Sequence, residues 1–230
     1  MPYSLIELLS AMTVFVLLMA ALMQFLASAQ KIWTGSNAKT VMFEDARTAM
    51  NLMARDLCEV FYTEGGSGGF SASSNNEAQS VAFSTRIDGK PNSSCKSNIA
   101  IVTWKYFDSS DSTAPCTLQR QILGDNAYSD LTYSTIAGAL SPSSSADREV
   151  IERVVDFKIS SYKKTSNFSA PDSTISEGHI PYLVTISLSL LDRDSYDKWI
   201  ASGKLAGIKN SNMRTFTKYI FIGDRGQAVE

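Results

Sequence analysis

Apolar and polar positions divide this chain into three stretches with different rhythms. From Leu8 to Ala29 nearly every position is apolar or small, broken only by Ser10, Thr13, Gln24 and Ser28, with no Pro and no Gly. Such a run predicts a continuous helix that is apolar on all sides. About 20 residues of this kind cross a hydrocarbon layer of about 30 Å. Further on, apolar residues recur at Val41, Met42, Ala46, Ala49, Met50, Met53, Leu57 and Val60. That is the i, i+3, i+4, i+7 spacing of one helical face. Glu44, Asp45, Arg47, Asn51, Arg55, Asp56 and Glu59 fall on the other side. The two patterns join into one predicted helix from about Ser4 to about Tyr62, on the order of 85 Å long at a rise of about 1.5 Å per residue. Gly35 is its weak spot, and it ends at TEGGSGGF, a glycine cluster expected to be neither helix nor strand.

The third rhythm is shorter. SVAFSTRI, NIAIVTWKYF, CTLQRQIL, VVDFKISSYKK, IPYLVTISLSLLD and RTFTKYIFI often alternate and are rich in Val, Ile, Thr, Tyr and Phe, which predicts strands. DGKPNSSCKSN, DSSDSTAP and SPSSSAD between them predict surface loops. The alternation predicts antiparallel sheets with one buried face. SYDKWIASGKLAG is either a short helix or an inserted loop, and Trp104, Tyr106, Phe107, Phe157, Tyr162, Tyr182 and Phe221 are expected mostly in the core. The fold class is therefore α+β: a long N-terminal helix, transmembrane and then amphipathic, followed by an antiparallel β-sheet globular domain.

Charge changes this picture little. The 230 residues carry 21 Lys and Arg against 23 Asp and Glu, a net charge of −2, without a block of like charges. No electrostatic footprint for nucleic acid follows from that balance. A cleavable secretory signal would bring a basic flank, a shorter apolar stretch and a small-residue cleavage site. Here no Lys or Arg precedes the run, and Ala27, Ser28 and Ala29 lie deep within it. The pattern is that of an anchored soluble domain. Glu7 is the single formal charge before Lys31. A carboxylate in hydrocarbon costs roughly 2.5–3.5 kcal/mol on insertion scales, so it is normally paired or functional. A helix N-terminus also favours an acid through the macrodipole and the unsatisfied N–H groups. Glu7 is thus either an ordinary acidic residue at headgroup level or a partner for a positive group.

SLIELLSAMTVFVLLMAAL resembles the N-terminal signature of type IV prepilins and type II secretion pseudopilins: an aromatic residue, a small hydroxyl residue, two aliphatics, a glutamate and a long apolar helix. FEDARTAMNLMARDL further resembles the post-membrane helix of the minor pseudopilin J group. The later order VAF, TWKYF, LQRQI, IERVVDFKISSYK, PYLVTISLSLLD and TFTKYIFI is similar too. The resemblance implies a pilin-like fold divided into a short leader (1–2), a helix (3–62, with 3–29 in the membrane or filament core and 30–62 amphipathic), a Gly-rich connector (63–69) and a β-rich periplasmic domain (70–230). It implies processing between Pro2 and Tyr3 by a prepilin peptidase and N-methylation of Tyr3. Pro2 stands where the family usually carries Gly, and proline restricts the backbone and lacks an N–H. Glu7 would neutralise the N-terminal amine of a neighbouring subunit. The protein would be a structural, non-enzymatic subunit, spanning the bacterial inner membrane once with its C-terminal domain in the periplasm. It would pack through its helix with other pilin-like subunits into a short filament, or its tip complex, for protein secretion. A minor pilin of a type IV pilus, serving adhesion or DNA uptake, is the nearest alternative. A membrane-anchored binding domain that never polymerises is the alternative of a different class.

Other candidate chemistry is sparse. Cys58, on the helix, is expected as a small buried residue. Cys95 and Cys116 flank NIAIVTWKYF. A hairpin of that strand with the next predicts that the two meet as a disulfide, which an oxidising periplasm permits, against the alternative of two separate thiols. His179, the single histidine, lies in a loop and is expected to be solvated. GGSGG lacks the Lys and Ser/Thr of a phosphate-binding loop. Asp192, Asp194 and Asp197 have the flavour of a calcium loop without its Gly and terminal Glu. No cofactor is expected beyond that weak calcium candidate.

Overall fold

The structure is a computed structural model that describes residues 5–60, 62–63, 67–73, 78–91, 93–108, 115–126, 131–140, 148–164, 171 and 180–223. The chain forms two compact units, Met1–Phe43 and Glu44–Glu230. The described part of the first unit is helical throughout and belongs to α1, Leu5–Cys58. Gly35 does not interrupt it: a single glycine costs a helix about 1 kcal/mol relative to alanine, too little to break a segment this long.

In the second unit the end of α1 is followed by β1 (Tyr62–Thr63) and β2 (Ser67–Gly68), which pair antiparallel, then β3 (Phe70–Ala72), β4 (Ser80–Arg86), β5 (Ile99–Phe107) and β6 (Thr117–Gly124). After these come helix α2 (Tyr133–Gly138), β7 (Arg148–Glu152), β8 (Val154–Tyr162) and β9 (Leu183–Leu190). Helices α3 (Arg193–Ala201) and α4 (Ala206–Asn212) precede the last strand, β10 (Arg214–Phe221). One feature departs from the pattern-based expectation. Within the glycine cluster, Ser67–Gly68 pairs antiparallel with Tyr62–Thr63, where neither strand nor helix was expected. For SYDKWIASGKLAG the structure takes the helical one of the two alternatives, with a turn and the start of a second helix after it.

The strands make two antiparallel meanders. One sheet has the order β3-β4-β5-β6-β7 and the other β10-β9-β8. Ala78 and Ile159 exchange both backbone hydrogen bonds, each at 2.8 Å, and so connect the two. In β8 burial alternates from Asp156 to Tyr162, with Phe157, Ile159 and Ser161 buried, as expected of a sheet with one wet face. β4 differs: every residue but Arg86 is buried. The reason is α2, whose Ile136 packs with Ala82 and Ile101 on one face, and the Thr103 hydroxyl there donates to Ala139 O. On the other face Thr85 donates to the Asp56 carbonyl and Trp104 donates to the Asp56 carboxylate, both on α1. Ala46, Ala49, Met50, Met53 and Leu57 supply the buried stripe of α1 within this unit. Trp104 and Phe157 are core as expected, whereas Phe107 and Phe221 are exposed, being on the outward positions of their strands.

Candidate functional site

The described residues of α1 up to Ser36 are all exposed. Between Leu5 and Trp33 the large apolar side chains keep from 44% (Met19) to 80% (Leu5) of their surface. An 18-residue window here has a mean hydropathy of 2.4, so the helix is long and apolar enough to cross a membrane. Soluble proteins rarely leave an apolar surface of this extent open. Two of the helix's hydroxyls are satisfied locally, as a lipid environment demands. Ser10 Oγ donates to Glu7 O at 2.9 Å and Thr13 Oγ1 to Ser10 O at 2.8 Å, the back-bonding that lets hydroxyls ride in apolar helices. Glu7 lies in the first turn, where the helix dipole favours a negative charge. Pro2 and Tyr3, the expected processing residues, lie outside the described residues, as does His179.

The structure does not bring Cys95 and Cys116 together. β5 and β6 do form the expected hairpin, with Phe107 opposite Thr117 and Ala100 opposite Gly124. Cys116 sits beside the first of these pairs and Cys95 beside the second, where a Cβ on Gly124 would collide with the Cys95 sulfur. Eight residues of strand at about 3.4 Å each separate the two by about 25 Å, whereas a disulfide needs Cα atoms within about 7 Å. Antiparallel pairing places the two N-terminal flanks at opposite ends, so the expected bond is corrected by the register itself. Cys58 is exposed rather than buried, because it lies off the apolar stripe. Asp192 is the N-cap of α3 and accepts from Ser195 N at 3.1 Å. Asp194 and Asp197 lie on the exposed face of that helix. The weak calcium candidate is thereby resolved into a cap and a wet surface, and among the described residues no three acidic, His or Cys side chains converge as a metal requires.

Two polar clusters in the second unit escaped the pattern reading. Asp56, assigned above to the polar side of the helix, is 4% exposed. Its carboxylate accepts from Arg120 Nε at 2.7 Å, Arg120 Nη2 at 2.9 Å and Trp104 Nε1 at 3.1 Å. The signal was available: Met53, Asp56, Leu57 and Val60 themselves follow the i, i+3, i+4, i+7 spacing. The second cluster joins the β5–β6 hairpin to α3 and α4. Asp108 Oδ1 accepts from Lys204 Nζ at 2.6 Å and from Cys116 Sγ at 3.1 Å, and the Cys116 backbone N–H donates to the Tyr196 hydroxyl at 2.6 Å. Burial pushes the Tyr106, Tyr196 and Cys116 groups up from their ordinary values. Burial also pushes Asp108 upward, but the hydrogen bonds from Lys204 and Cys116 and the lysine's charge outweigh it and hold the carboxyl below the usual range. No sequence pattern marks this cluster, since its members come from separate elements.

No protein-family model matches the chain, and no curated protein does. Among solved structures it is similar to a chain in the crystal structure of the GspK–GspI–GspJ complex from the enterotoxigenic Escherichia coli type 2 secretion system. The identity is 14% and the TM-score 0.45, over 80% of this chain and 99% of that one.

Proposed function

We propose that this chain is a pilin-like structural subunit of the pseudopilin class. In this reading the apolar part of α1 anchors it in a membrane and then packs laterally against the helices of neighbouring pilin-like subunits. The observation that carries the reading is the helix Leu5–Cys58, whose first half is apolar all round and exposed, with one carboxylate, Glu7, in its first turn. A simple anchor has no use for that carboxylate, which costs insertion energy. A subunit that must find a positive N-terminus on its neighbour does. The SLIEL signature at that position supports the same reading. The folded second unit would face the periplasm, the assembly would be a short secretion filament or its tip, and the protein would have no enzymatic activity of its own.

The test is Glu7→Ala in the full chain. Membrane insertion is expected to persist, because the change removes a charge from an apolar helix. Co-isolation with other pilin-like subunits is expected to be lost. Unchanged co-isolation of the variant would overturn the role of Glu7. A wild-type chain that stays monomeric in its native membrane would favour the anchored, non-polymerising binding domain instead.

A further inference from the structure

Beyond assembly, we propose that Cys116 and Lys204 form an oxidative modification site, in which dioxygen joins Sγ and Nζ through one oxygen atom as a covalent N–O–S bridge. The thiol and the amine come from distant parts of the chain and are collected by one acceptor. Cys116 directly precedes β6, Asp108 directly follows β5, and Lys204 lies in the turn between α3 and α4. Asp108 Oδ1 receives both Sγ, at 3.1 Å, and Nζ, at 2.6 Å, so one oxygen gathers the two reacting atoms within the reach of a short bridge.

The placement of Lys204 is built into the backbone. Gly203 and Lys204 both take left-handed conformations, φ 71° and 63°, which is uncommon for a lysine. The turn folds the side chain inward, where only 15% of it is exposed and Nζ lies 5.9 Å from the centre of the Trp199 ring. A lysine serving only as a surface ion pair would not need this enclosure, since exposed pairs contribute little. Cys116 is fully buried, and Cys95 lies at the other end of the hairpin, so the amine is the reactive partner within reach.

The chemistry balances. Loss of one proton from Nζ to water frees the amine lone pair, while the Asp108 carboxylate stays ionised and holds both donors. The thiol S–H and one amine N–H are broken, the O–O bond of dioxygen is broken, and S–O and N–O bonds form. The second oxygen atom leaves as water with the two released hydrogens. Sulfur and nitrogen together supply the four electrons that reduce dioxygen. Burial shields the thiol from bulky oxidants, while a small apolar diatomic still enters. The product ties the α3–α4 insertion to the β5–β6 hairpin.

The test uses the full chain in detergent, purified either in air or anaerobically with reductant, then denatured, alkylated, digested and mapped by mass. In air, the Cys116 and Lys204 peptides are expected to be recovered joined, heavier than their sum by one oxygen less two hydrogens. Cleavage after Lys204 should fail, and dithiothreitol should reverse both changes. The anaerobic sample and Lys204→Arg should lack the joined peptide and leave Cys116 open to alkylation. Full alkylation of Cys116 after prolonged exposure to air would overturn the proposal. So would sulfinic acid or a disulfide at Cys116 with Lys204 unmodified. The wild-type map stands without any variant having to fold, and none of these readouts depends on filament assembly.

Discussion

From Leu5 to Trp33, helix α1 leaves every large apolar side chain at least 44% exposed, whereas its Ala46, Ala49, Met50, Met53 and Leu57 are each exposed by 7% or less. Both stretches use the same backbone and the same residue types. The difference lies in what each was patterned to meet. The later stretch carries one apolar stripe and finds its own sheets, so its stability is intramolecular. The earlier stretch is apolar on every side, which no single sheet satisfies; in our reading its partners are lipid and neighbouring helices. Polar groups repeat the contrast. Ser10 and Thr13 are satisfied within the helix by back-bonding, while Asp56 reaches across to Arg120 and Trp104.

The sharpest way to break this comparison is to remove Asp56. Asp56→Ala leaves Arg120 largely buried without its carboxylate, which typically costs about 3–5 kcal/mol. Asp45→Ala removes a partly exposed partner of Arg153 and is expected to cost at most about 1 kcal/mol. Denaturant unfolding of the two variants measures the gap, and equal losses would mean that Asp56 is not the clamp described here. Next in size is Leu57→Ala, expected to destabilise the second unit by about 2–5 kcal/mol through the cavity it leaves. Leu17→Ala, on the uncovered stretch, should leave that unit's unfolding unchanged. A matching loss at Leu17 would mean that the first stretch is covered by its own chain after all.

The smallest effect is a pH dependence. Because the Asp108 carboxyl is held below its ordinary value of 3.8, its contribution is complete above that value and fades as the pH falls through the lower folded one. Acid unfolding of wild type and Asp108→Asn should therefore diverge above this range and converge below it. Parallel curves throughout would show that Asp108 stabilises nothing.

Much of the fold was legible because it rests on periodicity. The long helix and six of the strands follow from runs whose period is 3.6 or 2, and these were placed within a few residues. What periodicity cannot carry is pairing in space. β3 and β7 are short and lack alternation, and α2 is a single capped turn and a half begun by Thr132, so none of them stands out. The two faces of β4 are both buried only because α2 returns to cover one of them. Adjacency of two strands suggests that Cys95 and Cys116 meet, but an antiparallel register sends their flanks to opposite ends. Asp56 was read as solvent-facing by residue type, against a spacing that placed it in the stripe. The candidate assembly helix, by contrast, was legible almost whole, since its distinguishing property is an absence of pattern.

In the proposed function the apolar stretch of α1 is destined for other helices and not for lipid alone. A photo-crosslinking residue in place of Leu17, in the full chain in its native membrane, tests it most directly. Adducts to the apolar helices of other pilin-like subunits are expected, lost when Glu7→Ala is added while membrane insertion persists. Adducts to lipid alone, the same with and without Glu7, would contradict it.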